Sequence, residues 1–260
     1  MALSNSINRS VKEFFLEAGA LSRFAGRFLK TGFKPPYEFQ EMMRQCYEIG
    51  YRSIPLVSFT AFIMGLVITI QSHPALEVFG AESWLPSIVS VSLVREITPV
   101  ITALICAGKV GSSIGAEIGS MKVTEQIDAM EVSGTNPFKY LVATRVLATT
   151  LMLPLLVVFG DGIALYAGYL GVNIRGVTSA HLYWTQVFNK LTFGDVLPSV
   201  IKSVFFGFVI GIVGSFKGYT TTSGTEGVGR AANASVVISS FIVFIVDLLA
   251  AQISDLMNIL

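Results

Sequence analysis

Five long apolar stretches, separated by short polar intervals, organise the chain. Residues 53–72 carry no charge at all. Residues 84–118 are apolar apart from Arg95, Glu96, Lys109 and Glu117; residues 146–170 enclose Asp161, residues 196–216 enclose Lys202, and residues 231–253 enclose Asp247. A helix needs about 20 mostly apolar residues to cross ~30 Å of hydrocarbon. The pattern therefore predicts an all-α integral membrane protein with five transmembrane helices. The second stretch would be roughly 52 Å long at 1.5 Å per residue, too long for one upright span. It is expected to tilt, kink near Pro99 and leave the membrane near Glu117.

The N-terminal segment follows a different period. Ile7, Val11, Phe14, Phe15, Ala18, Leu21, Ala25, Phe28 and Leu29 form a stripe, opposite Arg9, Lys12, Arg23, Arg27 and Lys30. At 100° per residue the stripe covers an arc of roughly 140°, which predicts a basic amphipathic helix lying in the membrane interface; packing against another domain is the alternative. No continuous apolar core lies in the first 30 residues, so a cleaved signal peptide is not expected. Residues 31–36 end this helix, and a second short one over 37–52 leads into the first span. The division is thus 1–52, cytoplasmic or interfacial helices, and 53–260, the transmembrane part. Between spans three and four, residues 178–191 suit a short surface helix with Leu182, Val187 and Phe188 packed down and Tyr183 and Trp184 at headgroup level.

Composition agrees: 52% of residues are apolar, 13% are charged and the mean hydropathy is +0.67, against roughly 25% charged in a soluble domain. The net charge of +1 excludes a broadly basic nucleic-acid binder. Cys46 and Cys106 cannot form a disulfide framework, and His73 and His181 lie too far apart in sequence to suggest a metal site, so none is expected. Lys and Arg outside the spans number eight before the first span, three between the second and third (Lys122, Lys139, Arg145) and two between the fourth and fifth. The opposite side has only Arg175 and Lys190. Thirteen against two places the N-terminus in the cytoplasm and the C-terminus outside.

No phosphate-binding loop, nucleophile elbow or zinc-protease motif is present, and no catalytic residue is assigned. The intramembrane charges are more informative. Each costs roughly 2.5–3.5 kcal/mol at a helix centre on insertion scales, so each should face protein, a cavity or water. Arg95, Glu96, Lys202 and Asp247, with Gln71 near the outer end of span one, are candidates for a polar-lined pathway; buried pairs that only fix helix register are the plain alternative. Small residues four apart, Ala107, Gly111, Gly115 and Gly119, let two backbones approach closely, within the chain or between copies. In residues 120–131, Val123, Ile127 and Met130 line one helical face, with Glu125, Asp128 and Glu131 beside it. A helix this short needs a partner to hold it.

Arg95-Glu96-x-x-Pro99-Val100, Ala107-Gly108-Lys109-x-Gly111-Ser112, Ala116-Glu117-Ile118-Gly119-x-Met121 and Thr124-Glu125-Gln126-x-x-x-Met130-Glu131 resemble the MlaE/YrbE permease family. Lys217-Gly218 and Gly224-x-x-Gly227-x-Gly229 are also similar. The resemblance runs from about Tyr47 into the last span and is densest over 92–145. Lys109 stands where an arginine is common, and Asn136-Pro137 replaces Asp-Pro. The resemblance implies a bacterial inner-membrane permease that works as a homodimer on two cytosolic ABC ATPase subunits, with ATP and magnesium on those partners and no cofactor on this chain. It implies an extracytoplasmic MCE-domain protein exchanging phospholipid with the permease. It makes the helix of Glu125, Gln126, Ile127, Asp128, Met130 and Glu131 the coupling element. It puts Gln71, Arg95, Glu96 and Lys202 at a lipid cavity.

Two other classes compete. A proton-driven secondary transporter would use Glu96, Asp161 and Asp247 as carriers, and its transport would collapse with the proton gradient while persisting without ATP. An intramembrane lipid enzyme would alter lipid chemically on its own.

Overall fold

A computed structural model describes residues 2–32, 34–35, 38–174, 179–222 and 224–259; for 2–11, 14 and 257–259 the backbone alone is described. The side chains of Ile7, Arg9, Val11 and Phe14, part of the predicted stop at 33–36, and Arg175 and Thr178 therefore lie outside the described residues.

Eleven α-helices follow one another among those residues: α1 (Ala2–Thr31), α2 (Phe39–Ile49), α3 (Ile54–Val78), α4 (Leu85–Ser92), α5 (Thr98–Cys106), α6 (Ser112–Val123), α7 (Gln126–Val132), α8 (Thr144–Asn173), α9 (Ala180–Lys190), α10 (Phe193–Tyr219) and α11 (Gly224–Ile259). Five helical runs are long and apolar enough to cross a membrane: Phe39–Val78, Glu82–Val123, Phe138–Asn173, Phe193–Tyr219 and Gly224–Leu256. They contain the five predicted stretches and extend past them, because polar and amphipathic turns continue each helix beyond its apolar part. The expected second short helix is α2, which packs on α8 and is joined to α3 by a 3₁₀ turn, Tyr51–Ser53.

The second run is continuous but not regular. π-helical turns interrupt it at Leu93–Ile97 and Ala107–Gly111. Pro99 stands just after the first, and in a regular helix its ring would press on the carbonyl of Arg95. The wider π-turn relieves that crowding, so the expected irregularity near Pro99 is a bulge. The helical run continues past Glu117 to Val123.

Helix α8 is the hub, packed against α3, α10, α2 and α5. Glycines set its contacts. A Cβ at Gly65 of α3 would collide with the Ala164 carbonyl oxygen, and one at Gly207 of α10 with that of Thr149. Gly111, Gly115 and Gly119 face the same chain. An added Cβ would lie 3.5 Å from Ile210 at Gly111, 2.5 Å from Ser235 Oγ at Gly115 and 3.2 Å from Thr221 Oγ1 at Gly119. The four-residue row is thus a seam of α6 with α10 and α11. Helix α11 answers it with Ala231, Ser235 and Ser239, also four apart and buried.

Helix α1 docks by its second half. Phe28 is buried, Leu21, Phe24 and Ala25 pack on the core, and the Arg27 guanidinium lies 4.3 Å from the Phe138 ring centroid. Phe15, Leu16 and Leu29 remain exposed. On α9 the inward residues are Tyr183 and Val187, whereas Leu182 and Phe188 are exposed, contrary to the sequence expectation. Tyr183 donates its hydroxyl to the Leu165 carbonyl at 2.9 Å. Burial pushes this phenol's titration up, so it stays a donor at any physiological pH.

Candidate functional site

Lys202 sits on α10 between two fully buried serines, Ser199 and Ser203. Its side chain is long enough to cross to two neighbouring helices. The ammonium donates to Glu96 Oε2 at 2.7 Å and to Asp247 Oδ1 at 2.8 Å. Glu96 comes from the π-turn Leu93–Ile97, and Asp247 continues the four-residue row Ser235, Ser239, Val243 on α11. The residue before Glu96 turns elsewhere: Arg95 Nη2 donates to Asp255 Oδ1 at 2.7 Å. Three spans therefore meet in three ion pairs, two of which start from one π-turn.

Burial divides these groups. Lys202 is 3% exposed, so the cation lies inside. The Glu96 side chain is 41% exposed and that of Asp255 71%. The open side thus presents carboxylates and one guanidinium, with the ammonium behind them. Two carboxylates hold Lys202, so its ammonium is not free. A third carboxylate stands deeper. Asp161 of α8 is 8% exposed and lies near Lys202 and Thr98. Its Oδ1 has no hydrogen-bond partner. Beside the cluster, Gly194, Leu197, Ile201 and Phe205 of α10 and Ala250 and Ile253 of α11 line an apolar groove of about 410 Å³ that reaches Lys202. Gln71 is exposed near the end of α3 and makes no hydrogen bond to the cluster.

Between the second and third runs the predicted single helix is broken. Helix α6 ends at Val123, Glu125 takes a left-handed conformation (φ 58°), and α7 restarts at Gln126. Gly134, at φ 82°, closes the loop. Ile127 is 1% exposed within the main core, and Met130 packs against it. These two side chains hold α7 to its own chain and are not free for a partner, as the sequence pattern had implied. Outward lie Glu125, Gln126, Asp128, Glu131 and Val132; Asp128 accepts from Lys122 at 2.8 Å.

The other two charges of the second run are also engaged. Glu117 pairs with Arg145 at 2.8 Å, and Arg145 is fully buried in α8, so it is not a loop charge. Lys109 donates to the Arg52 carbonyl oxygen, and its ammonium lies 3.3 Å from Ser53 Oγ.

The chain thus carries an ion network within an apolar bundle and a short acidic helix tied to the bundle's end. The family described as Permease MlaE matches residues 42–253. The chain belongs to the MlaE permease family. A probable ABC transporter permease protein of Rickettsia typhi is 38% identical over 251 residues, covering 96% of this chain and 97% of the relative. A probable ABC transporter permease protein of Synechocystis is 38% identical over 207 residues, covering 78% and 77%. The intermembrane phospholipid transport system permease protein MlaE of Haemophilus influenzae is 33% identical over 217 residues, covering 83% of each.

The MlaE-family match takes in α7, the π-turns and the Glu96–Lys202–Asp247 network. It stops short of Asp255, the partner of Arg95, which sequence reasoning also missed. A signal was present: Asp255 lies two turns beyond Asp247, about 80° round α11.

Proposed function

We propose that this MlaE-family chain is the permease subunit of an ABC transporter that moves phospholipid between the bacterial inner membrane and an extracytoplasmic MCE lipid carrier. The observation that carries the reading is the ion network beside an apolar groove in the bundle. A phospholipid needs both a polar place for its headgroup and an apolar one for its chains. Two copies of the chain would face each other across the lipid. ATP and magnesium would be held by a dimer of cytosolic ATPase subunits. The similarity to a phospholipid-transport permease supports the cargo, and the relatives' description as ABC transporter permeases supports the energy source.

The decisive experiment is transfer of labelled phospholipid between liposomes by the complex isolated from its native membrane. Transfer that requires ATP supports the reading. Transfer that persists without ATP and collapses with a proton gradient overturns it.

In this reading the ATPase rests on the outward edge of α7, Glu125, Gln126, Asp128 and Glu131, with exposed Val132 at its end. Ile127 and Met130 anchor the helix from behind. Reversing both Glu125 and Glu131 to lysine should release the ATPase in a pull-down while the permease still inserts. A complex that survives the double reversal with full lipid-dependent ATP hydrolysis would show that α7 is not the contact.

The α7 end would lie in the cytoplasm with the N-terminus, and the C-terminus outside. In a chain lacking Cys46 and Cys106, a membrane-impermeant thiol reagent applied from outside should label Ser83→Cys and spare Ser133→Cys. The opposite pattern would invert the topology.

A further inference from the structure

We infer that the cargo headgroup is zwitterionic and amine-bearing, with its phosphate on Arg95 and its ammonium on Glu96 and Asp255; this rests on the lipid-transport reading. Lys202, the buried cation, already donates to two carboxylates, and Asp161 stands close behind it. It can reach a phosphate only by breaking charge-assisted hydrogen bonds, which are about twice as strong as neutral ones. The remaining cation is Arg95. A guanidinium has five N–H donors, and a single bond joins this one to Asp255. Its spare donors suit a phosphate, which arginine binds bidentately.

The carboxylates outnumber these cations. Glu96, Asp247 and Asp255 touch Arg95 or Lys202, so three carboxylates meet two cations before Asp161 is considered. Glu96 uses Oε2 on Lys202, while Oε1 has no bond among the described residues and the side chain is 41% exposed. Asp255 uses Oδ1 on Arg95 and is more exposed still. A partly buried guanidinium flanked by carboxylates with open oxygens is a dipolar surface. A headgroup with one phosphate and one ammonium matches it in both signs. A headgroup with a phosphate and only hydroxyls adds negative charge where carboxylates are already in excess, and it brings no cation to the open oxygen of Glu96. Like charges placed together suppress the wrong ligand as effectively as opposite charges attract the right one.

The test uses the intact complex and donor liposomes holding equal amounts of labelled phosphatidylethanolamine and phosphatidylglycerol. Ethanolamine lipid should move roughly tenfold faster, about the effect of one charge-assisted hydrogen bond. Glu96→Gln keeps the side chain's size and a hydrogen-bonding oxygen but removes the charge, and it should reduce the ratio toward one. Because Glu96 also holds Lys202, Asp255→Asn serves as the second variant. Its side chain is mostly exposed, so the fold should stand. Freeing Arg95 from its counter-charge should raise phosphatidylglycerol transfer relative to ethanolamine lipid. Equal transfer of both lipids by the parent complex, or faster transfer of phosphatidylglycerol, overturns the headgroup inference while leaving lipid transport intact. A parent preference that both variants retain overturns it equally. Movement of neither lipid, in the presence of ATP, removes the lipid-transport reading and this inference with it.

Discussion

Replacing Lys202 with methionine should lower the stability of the complex more than any other single change in the ion network. The substitution keeps the length of the side chain but leaves Glu96 and Asp247 facing each other with no ammonium between them. Removing one partner of a buried ion pair costs roughly 3–5 kcal/mol, because the other charge is left uncompensated. Water reaches Glu96, which places the loss toward the lower end; Asp247 is less open. The measurement is thermal unfolding of the purified complex in detergent. The triple variant Lys202→Met, Glu96→Gln, Asp247→Asn should recover most of the stability, since neutral polar groups can bond one another, yet it should not recover lipid transfer. If Lys202→Met melts with the parent protein, the three residues do not form a buried network. If the triple variant also transfers lipid normally, the network belongs to structure alone.

A change of one methyl group should be nearly as damaging where α3 crosses α8. In Gly65→Ala the new Cβ meets the Ala164 carbonyl oxygen and lies 2.9 Å from the Ala167 methyl. Backbone cannot rotate away as a side chain can, so the helices must separate along the most extensive contact in the bundle. Overpacking a fitted interface typically costs about 1–3 kcal/mol and occasionally more. Gly162→Ala is the control: nothing lies within 4 Å of its added Cβ. Alanine is better than glycine inside a helix by roughly 1 kcal/mol, so that variant should be neutral or slightly stabilised. Equal melting temperatures for the two variants would mean that the α3–α8 crossing yields easily.

These two sites also mark how far the sequence could be read. The five spans were legible because each holds an apolar run that only a membrane or a deep core accommodates. Their ends were not, because residues 39–49 continue the first run with an amphipathic pattern that gives no hydropathy signal. The buried charges were legible as buried; their partners were not. A lone lysine in span four says only that it must face something polar; Glu96 and Asp247, bonded to it, come from helices 106 residues before and 45 residues after. Asp255 escaped notice because it lies past the apolar run of the last span. The break at Glu125 was hidden by its residue type, since a left-handed residue is usually glycine or asparagine. The acidic residues three apart looked like one uninterrupted helix. On α9, Leu182 and Phe188 are six residues apart and cannot share a face with Val187; Tyr183 and Val187, four apart, can.

The π-turns in the second run bear on length variation. Each accommodates, in effect, one residue more than an α-helix of the same rise would hold. A deletion of one residue within Leu93–Ile97 would leave no gap, because the bulge could close into regular helix. About five residues of the wider turn advance and rotate the chain as far as about four of a regular helix, so everything beyond it would keep its facing. Gly111, Gly115 and Gly119 would still lie against α10 and α11. The loss would be local: Arg95 and Glu96 could not both stay where they meet Asp255 and Lys202. The run can therefore lose a residue without losing its helix or its glycine seam, but not without breaking the pair of charges that the bulge aims.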